Sequence, residues 1–132
     1  MHQKPSLTVD AIALLEGQLI LIQRKNPPFQ GSFALPGGFV DYGEKVEDAV
    51  LREFREETGL EAEVCRLVGI YSDPDRDPRG HTVSIAFELE IIGGELMAGD
   101  DASSASKFPL DKLPELAFDH QKIIVDYLAR PS

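Results

Sequence analysis

Apolar and polar positions alternate with two different periods along this chain, and the changes of period mark its elements. Leu7 to Leu15 reads as a strand rich in apolar residues, and Glu16-Gly17-Gln18 supplies a tight turn into a hairpin partner from Leu19 to Lys25. Asn26-Pro27-Pro28 breaks that pattern, and the turn-rich stretch Gly31 to Gly38 holds a short strand around Phe33 to Leu35. Glu47 to Thr58 is the clearest helix. Glu47 and Asp48 lie in its first turn, where the helix dipole favours acids, and Gly59 stands at the C′ position. Lys45 is a poor N-cap, so the start of the helix is left open.

Strand character returns from Glu63 to Tyr71. A charged, proline-punctuated loop runs from Ser72 to Gly80, and a long strand from His81 to Ile92 stops at Gly93-Gly94. Ala98 to Ser106 is a polar loop, and a short strand follows near Lys107 to Leu110. Asp119 is placed to cap a final helix that buries Ile123, Ile124, Tyr127 and Leu128. The order strands, helix, strands, helix predicts an α+β sandwich with helices on a mixed sheet, without the regular alternation of a doubly wound fold.

The length of 132 residues suits one domain, spanning 1–132, with one core. No apolar run reaches the roughly 18 residues that span a bilayer. The N-terminus lacks the apolar stretch and cleavage site of a signal peptide, and the lone Cys65 excludes an internal disulfide framework. These features predict a cytoplasmic protein with no membrane partner. Cys65 is expected to fill a strand face. Thirteen basic against 23 acidic residues give a net charge of −10, which would repel a nucleic-acid polymer. An acidic protein still binds a phosphorylated small molecule when cations screen its carboxylates.

The acids are concentrated on the first helix. Glu53, Glu56 and Glu57 are related by steps of three and four residues, so they share one arc of its surface. Such a cluster repels itself, and by composition alone it is most simply a solvated acidic face. Hard divalent cations are the natural compensation, because Mg²⁺ prefers carboxylate oxygens and keeps waters for a substrate phosphate. Pro36-Gly37-Gly38 precedes the helix and allows a close backbone approach to a ligand. Arg52 and Arg55 are interleaved with the acids and can orient them.

Gly38, five residues, Glu44, seven residues, then Arg52-Glu53-Phe54-Arg55-Glu56-Glu57-Thr58-Gly59-Leu60 resembles the Nudix box, G-x5-E-x7-R-E-U-x-E-E-x-G-U, where U is a bulky aliphatic residue. Every fixed letter stands at its spacing, and the one departure is Phe54 at a U position. The resemblance implies a Nudix α/β/α sandwich and hydrolysis of a pyrophosphate with Mg²⁺, for which Mn²⁺ can substitute. It implies Glu53 and Glu57 as primary metal ligands, Glu56 as a further ligand or a partner of one, and the Gly37 carbonyl as an extra ligand. Glu44 would organise the loop, and Arg52 would orient a glutamate without touching substrate. Relatives place a further acid far downstream of the box. Here Asp100 and Asp101 fall in that region, but serines stand where many relatives carry a glutamate. The base is therefore Asp101 or Asp100, or the helix glutamates alone.

The string Asp77-Pro78-Arg79-Gly80 and the segment Leu116 to His120 resemble the ADP-ribose pyrophosphatases. That resemblance implies ADP-ribose cleaved to AMP and ribose 5-phosphate by a homodimer. Arg24, Phe29, Arg76 and Arg79 are the candidate substrate contacts, unless the two loop arginines only neutralise Asp73, Asp75 and Asp77. Phe33 and Tyr71 are equally aromatic candidates for stacking or core, and His81 is expected to be structural. The alternatives are a pyrophosphohydrolase acting on oxidised dNTPs and, from another class, a non-catalytic ADP-ribose sensor.

Overall fold

The computed structural model describes residues 3–97 and 105–130. β1 (Ser6–Leu15) turns through Glu16-Gly17 into β2 (Gln18–Gln23), as the hairpin pattern predicted. β3 (Phe33–Ala34) pairs with β2, and β4 (Gly37–Phe39) pairs with β1. β4 was not predicted, because two of its three residues are glycines with little strand preference of their own. Pairing with Thr8, Val9 and Asp10 imposes the strand. α1 (Val46–Thr58) leads through Gly59, at φ 79°, straight into β5 (Leu60–Tyr71). β6 (Thr82–Gly94) runs parallel to β1 and antiparallel to β5, with three register shifts in the β5 pairing. β7 (Ser106–Phe108) borders β2, and α2 (His120–Leu128) ends the described chain.

The mixed sheet runs β3-β2-β1-β6-β5, and the two faces of β1 explain why it carries a helix on each side. Val9, Ala11 and Ala13 point to one face and pack with Ala49, Val50 and Phe54 of α1. Ile12 points to the other and joins Leu19, Leu21, Ile123 and Ile124 under α2. Alternate side chains of one strand thus feed two cores, which makes the expected α/β/α sandwich. Phe54 fills the α1 core completely, and its aromatic ring replaces the usual aliphatic residue as packing. No helix among the described residues is long and apolar enough to cross a membrane.

Three expectations are corrected. Leu128 is 51% exposed; the buried stripe is His120, Ile123 and Ile124, with Tyr127 partly buried. Asp119 stands at the start of α2 but makes no side-chain cap, since its carboxylate is taken by Arg76. Cys65 lies on the exposed face of β5 and fills no core; partial burial and the nearby Glu88 and Glu90 push its thiol up.

Candidate functional site

The buried stripe of α1, Val50, Phe54 and Thr58, fixes which way its acids face. Thr58 secures the C-terminal end: its hydroxyl donates to the Phe54 carbonyl at 2.7 Å and accepts the Leu60 amide proton at 3.1 Å. Glu53 and Glu57 then lie half-buried beside the stripe, while Glu56 is exposed. Arg52 ties the acids together. Its guanidinium donates to both oxygens of Glu44 at 2.7 and 2.9 Å, to Glu53 at 3.1 Å, to Glu56 at 3.3 Å and to the Phe39 carbonyl at 3.3 Å. The bond from Arg52, with the Asp41 amide, holds the Glu44 carboxyl down to about 2. Arg52 thus spends its donors on the loop and the helix acids.

Glu57 sits deeper. Its Oε1 accepts the Gly37 amide proton at 2.8 Å. Burial pushes its carboxyl up to about 8 against that hydrogen bond, and Glu53, Asp10 and Glu56 add to the rise. Burial also raises Glu53, with Arg52 opposing it. The glycines are needed for this closeness. A Cβ on Gly38 would stand 2.5 Å from Glu53 Oε2, and one on Gly37 only 2.0 Å from the Val9 carbonyl.

The donor set suits a hard divalent cation: carboxylate oxygens crowded enough to resist ionisation, next to a glycine backbone stripped of side chains. Among the described residues, no three acids, histidines or cysteines come together so as to hold a metal ion by themselves. An open arrangement is what Mg²⁺ tolerates, since it binds through one or two carboxylates and completes its shell with waters and substrate phosphates.

Besides Glu57, the cleft is lined by Arg24, Arg79, Phe39 and Phe118. Arg24 donates to the Pro28 carbonyl at 2.7 Å and stacks 4.9 Å above the Phe118 ring. Arg79 lies 5.2 Å from the Phe39 ring and 5.6 Å from Phe118, and its guanidinium also pairs with the buried Asp77 at 2.8 Å. Burial and the neighbouring Arg79 both press the Arg24 pKa down, so this wall carries crowded positive charge. Phe29 packs edge-on against Phe118 at 4.8 Å; both hold positive φ, 60° and 54°. Such backbone is uncommon away from glycine and clusters at functional sites.

The two loop arginines separate in role. Arg76, with a side chain 4% exposed, bonds bidentately to Asp119 at 2.6 and 2.9 Å and to Thr82 at 2.7 Å. Its donors are directed into the protein, so it staples the loop to α2 and β6. Both arginines line the cleft, and Arg79 keeps a side chain 42% exposed there. Phe33 packs against Phe108, Tyr71 donates to Asp126, and His81 contacts the Ser72 carbonyl; none of these three lines the cleft. Asp100 and Asp101 lie outside the described residues.

Asp10 was not singled out from the sequence, and Phe118 and His120 entered only within the segment Leu116 to His120; all three line the cleft. The lone charge within the apolar run of β1 was the available signal for Asp10. His120 is buried at the start of α2, where burial keeps it below the usual histidine range. A larger cavity of about 560 Å³ lies elsewhere, between the end of β5 and α2, among Val68, Tyr71, Lys122 and Asp126. No acid of α1 reaches it, and the cleft at Glu57, smaller at about 100 Å³, gathers the reactive groups.

Residues 4–127 match the NUDIX domain family. The chain is 59% identical over 128 residues to a Methanocaldococcus jannaschii protein named ADP-ribose pyrophosphatase, covering 97% of this chain and 76% of that one. Among solved structures, a MutT/nudix family protein from Enterococcus faecalis superposes with a TM-score of 0.86 at 37% identity, over 96% of this chain and 61% of that chain. The NUDIX domain of Shewanella oneidensis NrtR, in complex with ADP ribose, does so with a TM-score of 0.84 at 29% identity, over 96% and 88%. The intact box on α1, the sandwich that presents it and these likenesses agree, and the chain belongs to the Nudix family.

Proposed function

We propose that this chain hydrolyses the pyrophosphate of ADP-ribose to AMP and ribose 5-phosphate with Mg²⁺, for which Mn²⁺ can substitute. One observation carries the reading: Glu57, with Glu53 as its charged neighbour, shares one narrow cleft with the crowded cations Arg24 and Arg79. A bridged diphosphate needs both. Glu53, Glu56, Glu57 and the Gly37 carbonyl would hold the cation, which supplies charge neutralisation at the pyrophosphate oxygens. Arg24 and Arg79 draw in the anionic phosphates, and Phe29 with Phe118 offers ring surface to the adenine. Arg52 and Glu44 keep Glu53 and Glu56 in place. The proton of the attacking water passes to a carboxylate, either one of the helix glutamates or Asp101 or Asp100.

The archaeal relative's name and the ADP ribose bound in the NrtR domain support this substrate over oxidised dNTPs. The intact box supports a hydrolase over a sensor. A homodimer in the cytoplasm completes the proposal. The deciding experiment offers ADP-ribose, other ADP-sugars, dinucleotides and 8-oxo-dGTP with Mg²⁺ or with EDTA, and identifies the phosphorylated products. AMP and ribose 5-phosphate from ADP-ribose at the highest kcat/KM is the expected result. A higher kcat/KM on 8-oxo-dGTP overturns it.

A further inference from the structure

His120 opens α2, on the opposite side of the sheet from the helix acids, yet both its ring nitrogens are committed toward the cleft. Nδ1 accepts the Leu35 amide proton at 3.0 Å. The ring proton therefore sits on Nε2, which faces Asp10 Oδ1 at 3.4 Å. The other oxygen of Asp10 accepts a short hydrogen bond from the Ser84 hydroxyl. His120, Asp10 and Ser84 are 4%, 6% and 0% exposed. A residue that only filled core here would be apolar, because buried polar groups are tolerated only when satisfied.

What this chain of bonds holds is the backbone leading into the site. Three successive residues are pinned from three elements. The Leu35 N–H is held by α2, the Pro36 carbonyl by the Ala11 amide of β1 at 2.8 Å, and the Gly37 N–H by Glu57 of α1 at 2.8 Å. The segment has no slack, since even a Cβ on Gly37 would meet the Val9 carbonyl and Asp10 Oδ1. A displacement at Leu35 must therefore pass on to Gly37 and its contact with Glu57.

We propose that His120 is a positioning residue for the cation site: by accepting the Leu35 amide proton it fixes the Leu35–Gly38 backbone against Glu57 and so sets the affinity of the cleft for a divalent cation. The proposal rests on the reading of Glu53, Glu56, Glu57 and Gly37 as that site. Two variants separate positioning from general core filling. In H120N the amide oxygen stands near the place of Nδ1 and keeps the acceptor for Leu35. In H120Q the amide group stands near Nε2, keeping a contact to Asp10 and giving up Leu35.

Mn²⁺ is titrated by calorimetry into the metal-free wild-type, H120N and H120Q proteins, with thermal unfolding recorded for each. H120Q should bind Mn²⁺ about tenfold or more weakly, the size expected of a lost outer contact to a metal site. H120N should stay within about threefold of wild type. Wild-type affinity in a folded H120Q, or equal losses in both variants, overturns the proposal. Should H120Q not fold, H120N decides: retained affinity supports the proposal and a tenfold loss refutes it. Absence of Mn²⁺ binding by the wild type would instead remove the functional reading, and this proposal with it.

Discussion

Glu57 accepts the Gly37 amide proton at 2.8 Å while burial and three neighbouring carboxylates press it toward its neutral form. Burial outweighs that hydrogen bond and pushes the carboxyl up to about 8. The site is therefore built around a charge that the folded protein alone supports poorly. A divalent cation beside such a group would favour its charged form. Glu57→Gln removes the charge and keeps the shape, so kcat for ADP-ribose should fall by about a hundredfold or more while the unfolding temperature of the metal-free protein holds or rises. Steady-state kinetics beside a thermal melt checks both; near-normal turnover would refute the assignment.

The same relationship sets a pH dependence. An unperturbed glutamate titrates at 4.5, so the unfolded chain gives up this proton well before the folded one does. Below 4.5 both states hold it and Glu57 does not affect stability. Between there and about 8 folding is progressively penalised, and the whole cost persists above that. At about 1.4 kcal/mol per pKa unit, discounted for the part of the group that water still reaches, the cost is a few kcal/mol. In EDTA the unfolding midpoint should fall as pH rises from about 5 to about 9. Added Mg²⁺ should recover it at the upper end, and E57Q should flatten the curve in EDTA. An equally steep curve for E57Q would place the titration elsewhere.

The helix, the long strands and the acidic stripe were legible in the sequence because each is a local matter. Glu53, Glu56 and Glu57 share a face by helical period alone, and Gly59 marks its own left-handed turn. What was hidden depended on tertiary partners. β4 exists because Asp10, Val9 and Thr8 pair with two glycines and a phenylalanine that would not otherwise extend. Arg76 and Arg79 look alike in a charged loop, and only the position of Asp119, far along the chain, assigns one to the interior. His120 stood within the segment Leu116 to His120, but its role was hidden, since its partners are Leu35 and Asp10 far along the chain.

That division of the two arginines is measurable. Arg79→Ala should raise KM for ADP-ribose more than KM for a generic dinucleotide, and should also lower the melting temperature, because it takes the guanidinium away from the buried Asp77. Arg76→Ala removes a buried guanidinium from the partly exposed Asp119 and from Thr82, and should cost about 1–3 kcal/mol of stability. Denaturant unfolding and KM values for both variants decide. Equal KM effects of Arg79→Ala on the two substrates would sink a specificity role for that side chain.

Gly38 offers a final probe, because it touches the site without carrying any chemistry. A Cβ there would stand 2.5 Å from Glu53 Oε2, 2.6 Å from Cδ and 2.9 Å from Oε1, so the glutamate must swing aside. The obstacle is the end of a flexible side chain, which can move at small cost to folding. Its new position would no longer be the one set by the 3.1 Å bond from Arg52. Gly38→Ala should therefore keep the wild-type melting temperature within a few degrees and lose about tenfold or more in kcat, with a higher Mg²⁺ requirement. A melt and a Mg²⁺ activation curve test this together. A normal activation curve would mean that the placement of Glu53 does not control turnover, and the glycine would then be explained by the β4 backbone alone.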